Sequence, residues 1–347
     1  MRIHVVGVAR NPSTPNIAVD PYARASYWLT TLLHRKGIEV HYYGHEASTV
    51  ECTQKFDIVN NKYHQKYFVT EFENNHFNSS HEAQDIFSQK AYKALLPNVK
   101  ENDIIACMWS DQIPQIKKLQ KQGAKVVDAH IGHLFHYGAD YNVFVSVANQ
   151  HFIYGKYGLD QSRWHDTVIP PICDSINEFE YTEKKENYIL FMARLFEQKG
   201  INIFLELAKH FPDKEFVVAG QGNLHEITSD IPSNVKYIGY AHLEKRKKLL
   251  AKAQAVISPT LYIEPFGLTT IEASLSGTPV IATTWGGYTG NIIEGVTGFK
   301  CSSTQEFINA INKLDQINPK NCRKFGEQFT AESLIDNYIK YFNKINQ

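Results

Sequence analysis

Two carboxylates, Glu264 and Glu272, bracket a turn in the run Glu264-Pro-Phe-Gly-Leu-Thr-Thr-Ile-Glu272. The preceding run Ala255-Val-Ile-Ser-Pro reads as a buried strand ending at Thr260, and a helix is expected from about Leu268 to Ser276, stopped by Gly277. The backbone N–H groups of Gly267, Leu268 and Thr269 would then carry the positive end of the helix dipole and could bind an anion such as a phosphate. Gly267 has no Cβ to hold a ligand away. A carboxylate repels phosphate, so each Glu is better suited to accept hydrogen bonds from hydroxyls of sugars attached to it. Read in isolation, the same residues are equally an acidic loop, a Pro265 and Gly267 breaker pair and a solvated helix Glu, which is the commoner meaning of such a pair.

A cationic partner occurs earlier in the chain. Arg194 and Lys199 lie in the loop Ala193-Arg-Leu-Phe-Glu-Gln-Lys-Gly200, between a strand ending at Ala193 and a helix starting near Ile201. Arginine can grip a phosphate through two N–H groups, while lysine provides a mobile point charge. An isolated pair of this kind is more often a pair of surface charges. Gly220-Gln-Gly222, Tyr240 and Trp285-Gly-Gly287 also follow strand candidates, although tight turns after strands need glycine for their own reasons.

The elements that must position these residues alternate between short apolar strands and amphipathic helices, the pattern of βαβ units with parallel sheets. In the first half, strands are expected at 3–8, 38–43, 104–109 and 125–129, with 143–148 either strand or helix. Asp20 reads as an N-cap with Pro21 at the first helical position of a helix ending near Lys36 and Gly37. The stretch 53–88, rich in Asn, His and aromatics, has no clear period. After Ile169-Pro-Pro171 a second series of strands is expected at 188–193, 215–219, 235–238, 255–258 and 279–282. Leu334, Ile335, Tyr338, Ile339 and Phe342 have helical spacing within a final segment, 331–343. Two doubly wound α/β domains facing across a cleft is the economical architecture, with ligands at the carboxyl ends of the strands.

At 347 residues the chain is long enough for two domains. Lys+Arg and Asp+Glu are equal at 36 each, so no overall field attracts nucleic acid or anionic lipid. The densest charge run, Glu244-Lys-Arg-Lys-Lys248, reads as the solvated face of a helix. Cys52, Cys107, Cys173, Cys301 and Cys322 are scattered without paired spacing, which favours a reducing compartment over a disulfide framework or a structural zinc site. The N-terminus reads as a strand rather than a signal peptide, and no apolar run approaches a membrane span. A cytoplasmic protein is expected.

Taken in order, five motifs resemble the retaining nucleotide-sugar glycosyltransferases of family four (group 1), which have the GT-B fold. They are Ala193-Arg-Leu with Lys199-Gly200; Gly220-Gln-Gly222; Pro259-Thr-Leu-Tyr-Ile-Glu-Pro-Phe-Gly-Leu-Thr-Thr-Ile-Glu-Ala273; Gly277-Thr-Pro-Val-Ile-Ala282; and Glu294-Gly-Val-Thr-Gly-Phe299. Their order and spacing over about a hundred residues carry the specificity that no single motif has. The resemblance is weaker in the first half, where Ile131-Gly-His and the segment 141–155 look like parts of family members with a compact acceptor domain.

The resemblance implies an acceptor-binding domain over 1–170, a donor-binding domain over 171–330, and a helix at 331–347 packing back on the first domain. It implies that Arg194, Lys199 and the backbone at Gly267, Leu268 and Thr269 meet the donor diphosphate, with Gly220 also on the donor side. Glu272 would bind the ribose diol and Glu264 the transferred sugar, while His130, after the strand 125–129, would hydrogen-bond that sugar. No Asp-x-Asp motif occurs, so the leaving-group charge would be met by Arg, Lys and a helix N-terminus, with no metal or other cofactor. His130, His133 and His136 lack a supporting carboxylate pattern for a metal site. The loop Arg10-Asn-Pro-Ser-Thr-Pro-Asn16 stands where family members often have a Gly pair, and Ala193 where Gly is usual. The resulting expectation is transfer of a sugar from a nucleoside diphosphate to an acceptor hydroxyl with retention, the domains closing about 169–174. The partners are a nucleotide-sugar donor and a hydroxyl acceptor, without nucleic acid. A same-fold epimerase and a non-catalytic sugar-nucleotide-binding protein are the alternatives.

Overall fold

The computed structural model describes residues 1–15, 17, 20–68, 81–136, 138–172 and 175–347. The loop 10–16, the stretch 53–88, Cys173 and the connection 169–174 therefore lie wholly or partly outside the described residues. The chain forms two compact units, one holding the described residues up to 172 together with Thr330–Gln347, the other holding Ser175–Phe329.

In the first unit β1 (Arg2–Val6), α1 (Pro21–Arg35), β2 (Glu39–His45), β3 (Gln54–Val59), α2 (Asn61–Tyr67), α3 (His81–Leu95) and β4 (Ile104–Cys107) are followed by α4 (Ile113–Ile116), β5 (Lys125–Ile131), β6 (Tyr141–Phe144), α5 (Val147–Lys156) and β7 (Asp166–Val168). The strands form one parallel sheet in the order β3-β2-β1-β4-β5-β6-β7, which reverses direction between β1 and β4. Helix α1 starts where Asp20 accepts from the backbone N–H groups of Tyr22 and Ala23, ahead of Pro21 at the first position. The segment 143–148, open between strand and helix, is both: β6 ends at Phe144, and Ser146 caps α5 through the N–H of Asn149. Strand β1 is buried throughout its centre, and His4 is its polar exception. Its ring nitrogens reach the Tyr43 hydroxyl at 3.0 Å and Asp103 Oδ2 at 3.2 Å, and burial lowers its pKa to about 4.

The second unit runs β8 (Tyr188–Met192), α6 (Ile201–His210), β9 (Glu215–Ala219), α7 (Leu224–Ile227), β10 (Val235–Tyr237), α8 (Leu243–Lys252) and β11 (Ala255–Ser258), then α9 (Leu268–Leu275), β12 (Val280–Thr283), α10 (Tyr288–Asn291), β13 (Gly298–Cys301), α11 (Thr304–Ile311) and α12 (Pro319–Gly326). Its parallel sheet has the order β10-β9-β8-β11-β12-β13. Both faces are covered, as a parallel sheet requires. Alternate residues of β8 show this: Ile189 and Phe191 join a cluster with Phe204, Phe216 and Ile281, while Tyr188 and Leu190 join Val256, Ala273, Val280 and Tyr288 on the other side.

Lys185 fastens two helices of this unit. Its Nζ donates to the carbonyl oxygens of Ala251 at 2.7 Å and Ser276 at 3.2 Å and to Thr278 Oγ1 at 2.9 Å, so one cation serves the C-terminal ends of α8 and α9.

The terminal helix α13 (Ala331–Ile345) returns to the first unit. Its apolar face buries Leu334, Ile335, Tyr338 and Phe342, it packs on α1, and the Tyr338 hydroxyl donates to the carbonyl of Ala129 in β5 at 3.1 Å. Cys52, Cys107, Cys301 and Cys322 are free thiols. Among the described residues no helix is long and apolar enough to cross a membrane.

Candidate functional site

The order of the second sheet reverses between β8 and β11, and the loops leaving the carboxyl ends of these two strands carry Arg194, Lys199 and Glu264. Open parallel sheets bind ligands at such a reversal. The loops are tied to each other, the N–H of Leu261 donating to the carbonyl of Gln198 at 2.8 Å. A Cβ on Gly200 would lie 2.0 Å from the carbonyl oxygen of Pro259, so only glycine permits this approach.

Lys199 Nζ donates to Glu264 Oε2 at 2.5 Å, and the Tyr262 hydroxyl donates to the same oxygen at 2.7 Å. The ammonium also lies 4.9 Å from the centre of the Tyr262 ring. Burial, followed by the Glu264 charge, pushes the Tyr262 hydroxyl well above its ordinary range, and the Arg194 guanidinium is near enough to pull against that rise. Tyr262 is therefore a fixed hydrogen-bond donor at neutral pH. Arg194 is exposed, with its guanidinium 5.4 Å from the centre of the Phe196 ring.

The turn carrying Glu264 is held from several sides. Thr260 O accepts from Thr283 Oγ1 at 2.9 Å and Trp285 Nε1 at 3.0 Å, and Thr260 Oγ1 meets the Tyr288 hydroxyl at 2.9 Å. The Gly287 N–H donates to Glu264 O at 2.7 Å, and Asn291 Nδ2 donates to Phe266 O at 2.5 Å. Helix α9 then begins at Leu268 after Gly267, whose φ is 87° and which provides no side-chain cap. Other helices of the protein, such as α1, α11 and α13, do have side-chain caps. Gly267, Leu268 and Thr269 are partly exposed beside Glu264, so the structure groups Arg194, Lys199, Glu264 and the start of α9 on one sheet edge. Gly220 ends β9 on the same edge, and a Cβ there would lie 1.7 Å from Ala193 O, so tight packing of two turns already demands glycine.

Glu272 lies one turn into α9 and is fully buried. Arg246 of α8 donates to its Oε2 through Nη2. This overturns the reading of the Glu244 to Lys248 run as a wholly solvated face, because Arg246 turns inward. The run contained the signal: Arg246 is three residues after Leu243 and four before Leu250, on the apolar side of the helix. Tyr262 and Tyr288 also escaped the sequence reading, as aromatic residues near a turn have no distinguishing spacing.

His130 belongs to the first unit. It sits near the end of β5, whose register on β6 shifts between Asp128 and Ile131, and its ring is buried against Tyr22 at a centroid distance of 5.1 Å. Burial, with His133 adding to it, lowers the His130 pKa to about 3, so at neutral pH the imidazole is an uncharged hydrogen-bonding group. Burial lowers His133 to about 4 and raises Asp128 to about 7. His133 Nδ1 accepts from the Phe135 N–H at 3.1 Å, which leaves the proton on Nε2 to be donated to Ser110 Oγ at 2.8 Å. A nucleophilic serine needs that hydrogen bond in the opposite sense, so Ser110 and His133 are not an activated pair. Both nitrogens of His133 are committed. Among the described residues no three His, Cys, Asp or Glu come together as a metal site.

A family model described as "Glycosyl transferases group 1" matches residues 174–330, which span the whole edge just described. The second unit is similar to the group 1 glycosyltransferases over its whole length. An uncharacterized glycosyltransferase of Methanocaldococcus jannaschii is 34% identical over 113 residues, 29% of this chain and 28% of that protein. A second from the same organism is 24% identical over 207 residues, 56% of this chain and 58% of that one. The chain thus spans less than two thirds of the length of these curated relatives. Among solved structures, AviGT4, a glycosyltransferase involved in avilamycin A biosynthesis, superposes with a TM-score of 0.70 at 18% identity over 99% of this chain and 98% of that one. Anabaena HepE, crystallised with UDP and glucose, superposes with a TM-score of 0.68 at 16% identity over 99% and 100%. These likenesses show the GT-B fold.

Proposed function

We propose that this glycosyltransferase moves a sugar from a nucleoside diphosphate to an acceptor hydroxyl with retention of anomeric configuration and without a metal ion, in the cytoplasm. The observation that carries the proposal is the grouping of Lys199, Arg194 and the uncapped start of α9 around Glu264. Two cations and a helix N-terminus suit a diphosphate, and the carboxylate between them suits the hydroxyls of the sugar it carries. HepE, of the same fold, was crystallised with UDP and glucose, which supports a nucleotide-sugar donor.

In this reading Arg194, Lys199 and the N–H groups of Gly267, Leu268 and Thr269 neutralise the charge that develops on the leaving diphosphate. The departing diphosphate oxygen takes the acceptor proton as the hydroxyl attacks from the same face, so no enzyme nucleophile is needed. Glu264 positions the transferred sugar.

The test is release of nucleoside diphosphate from a panel of donors, with and without candidate acceptors. Acceptor-dependent release supports transfer. Isomerised free donor would identify an epimerase, and binding without turnover in any combination would identify a non-catalytic binder.

A further inference from the structure

We infer that Tyr262 is a positioning residue for sugar transfer, its hydroxyl acting with Lys199 to fix which oxygen of Glu264 the ligand meets; the inference rests on the donor reading above. Lys199 Nζ reaches Glu264 Oε2 at 2.5 Å from the loop after β8, and the Tyr262 hydroxyl reaches the same oxygen at 2.7 Å from the loop after β11. Among the described residues no hydrogen-bond donor is placed on Oε1. One oxygen is therefore held by the protein and the other is left to a ligand. Glu264, Tyr262 and Gly267 are all partly exposed, and a Cβ on Gly267 would lie 3.6 Å from Glu264 Cγ, so the carboxylate stands at the surface beside the start of α9.

The terminal torsion of a glutamate is broad and two-fold, so a single donor would let the carboxylate turn and exchange its oxygens. Lys199 alone is such a donor, because an ammonium on a flexible stem is a mobile point charge. The Tyr262 hydroxyl adds a second donor on a rigid ring and fills the remaining acceptor site of Oε2. Burial and the Glu264 charge keep that hydroxyl protonated at neutral pH, so its role is to donate. The same ring steadies the ammonium, whose Nζ lies 4.9 Å from its centre. Of the three N–H donors of Lys199 one is engaged by Glu264, which leaves the others for an anion. Phenylalanine in place of Tyr262 would keep the ring beneath Lys199 and release only the carboxylate.

The experiment is a double-mutant cycle on the full chain with wild type, Tyr262→Phe, Glu264→Gln and the double variant. Turnover at saturating donor is read as nucleoside diphosphate released from whichever of a panel of UDP-, ADP- and GDP-linked sugars the wild type uses. Calorimetry gives the affinity for the matching nucleoside diphosphate. Tyr262→Phe is expected to lower kcat by about tenfold or more, the value of a hydrogen bond to a charged group, with nucleoside diphosphate affinity within about twofold of the wild type. In the Glu264→Gln background the same change should cost less than about threefold in kcat, because the orientation of a carboxylate that is gone no longer matters. A purely structural role would give equal losses in both backgrounds, and that result overturns the inference. Wild-type kcat in Tyr262→Phe, or a loss confined to nucleotide affinity, overturns it as well while leaving the donor reading intact. If Tyr262→Phe does not fold, Tyr262→Leu takes its place in the cycle under the same criterion for kcat. Failure of the wild type to release nucleoside diphosphate from any donor overturns the donor reading and the inference with it.

Discussion

Lys199 and Glu264, 65 residues apart in sequence, share a hydrogen bond of 2.5 Å across two strand-end loops. With side-chain exposures of 15% and 13%, both charges are largely withdrawn from solvent. The pair keeps a cation and an anion ready for a ligand that needs both. Its members are expected to fail in different ways.

Lys199→Ala should weaken nucleoside diphosphate affinity by about tenfold or more, the value of a charge-assisted hydrogen bond of roughly 1.5–3 kcal/mol. Titration calorimetry measures it. Affinity equal to the wild type would remove Lys199 from the diphosphate site.

Glu264→Gln retains the shape and loses the charge. Turnover is expected to fall by about a hundredfold or more, the scale of a lost transition-state contact, while nucleoside diphosphate affinity changes far less. Steady-state rates combined with product inhibition separate the two. Wild-type turnover in the variant would end the assignment of Glu264 to the transferred sugar.

Gly267→Ala tests the turn itself. The position has φ 87°, and a Cβ would lie 2.6 Å from Tyr288 Cε1. The left-handed backbone alone costs roughly 1–2 kcal/mol for alanine, and the ring contact adds to it. A drop of several degrees in melting temperature, together with weaker nucleotide binding, is the expected result. Unchanged melting would show that the turn relaxes freely.

Acid should destabilise the first unit. Burial lowers His4 to about 4, His130 to about 3 and His133 to about 4, whereas the unfolded chain protonates imidazole near pH 6.5. Below pH 6.5 the unfolded state binds these protons and the folded state does not, so stability falls with pH. Asp128, raised to about 7, acts in the opposite sense, because its folded carboxyl binds a proton that the unfolded one has released. These four groups alone give a balance near pH 5 of roughly two protons in favour of unfolding, a slope of about 3 kcal/mol per pH unit. Asp128→Asn removes the opposing group and should steepen the loss. Denaturant melts at pH 7, 6 and 5 measure both slopes; a flat or rising stability on acidification would contradict the assignment.

The βαβ alternation and many strand positions were legible because each parallel strand is a short apolar run closed by a turn signal, as in β8, β9 and β11. The start of α9 was legible for a different reason: Gly267 and the apolar helix after it mark a boundary in one dimension. The partners of the site were not. Nothing in sequence spacing says that Tyr262 shares an acceptor with Lys199, or that Arg246 leaves a run of lysines to meet Glu272 one strand and one loop later. Pairings of that kind are decided by how helices pack, and a charge run suggests solvent before it suggests an ion pair. The inversion of donor and acceptor between Ser110 and His133 depends on a backbone N–H at Phe135, which side-chain patterns do not report.

Helix α13 completes the first unit, although the whole sequence of the second unit separates it in the chain from the rest of that unit. Its residues Tyr338 and Phe342 are buried there, yet they are synthesised after every residue of the second unit. During translation the second unit therefore has its whole sequence available first, while the first unit waits with the surface on α1 that α13 will cover still open. The half of the protein that emerges earliest therefore cannot be completed until α13 has been made.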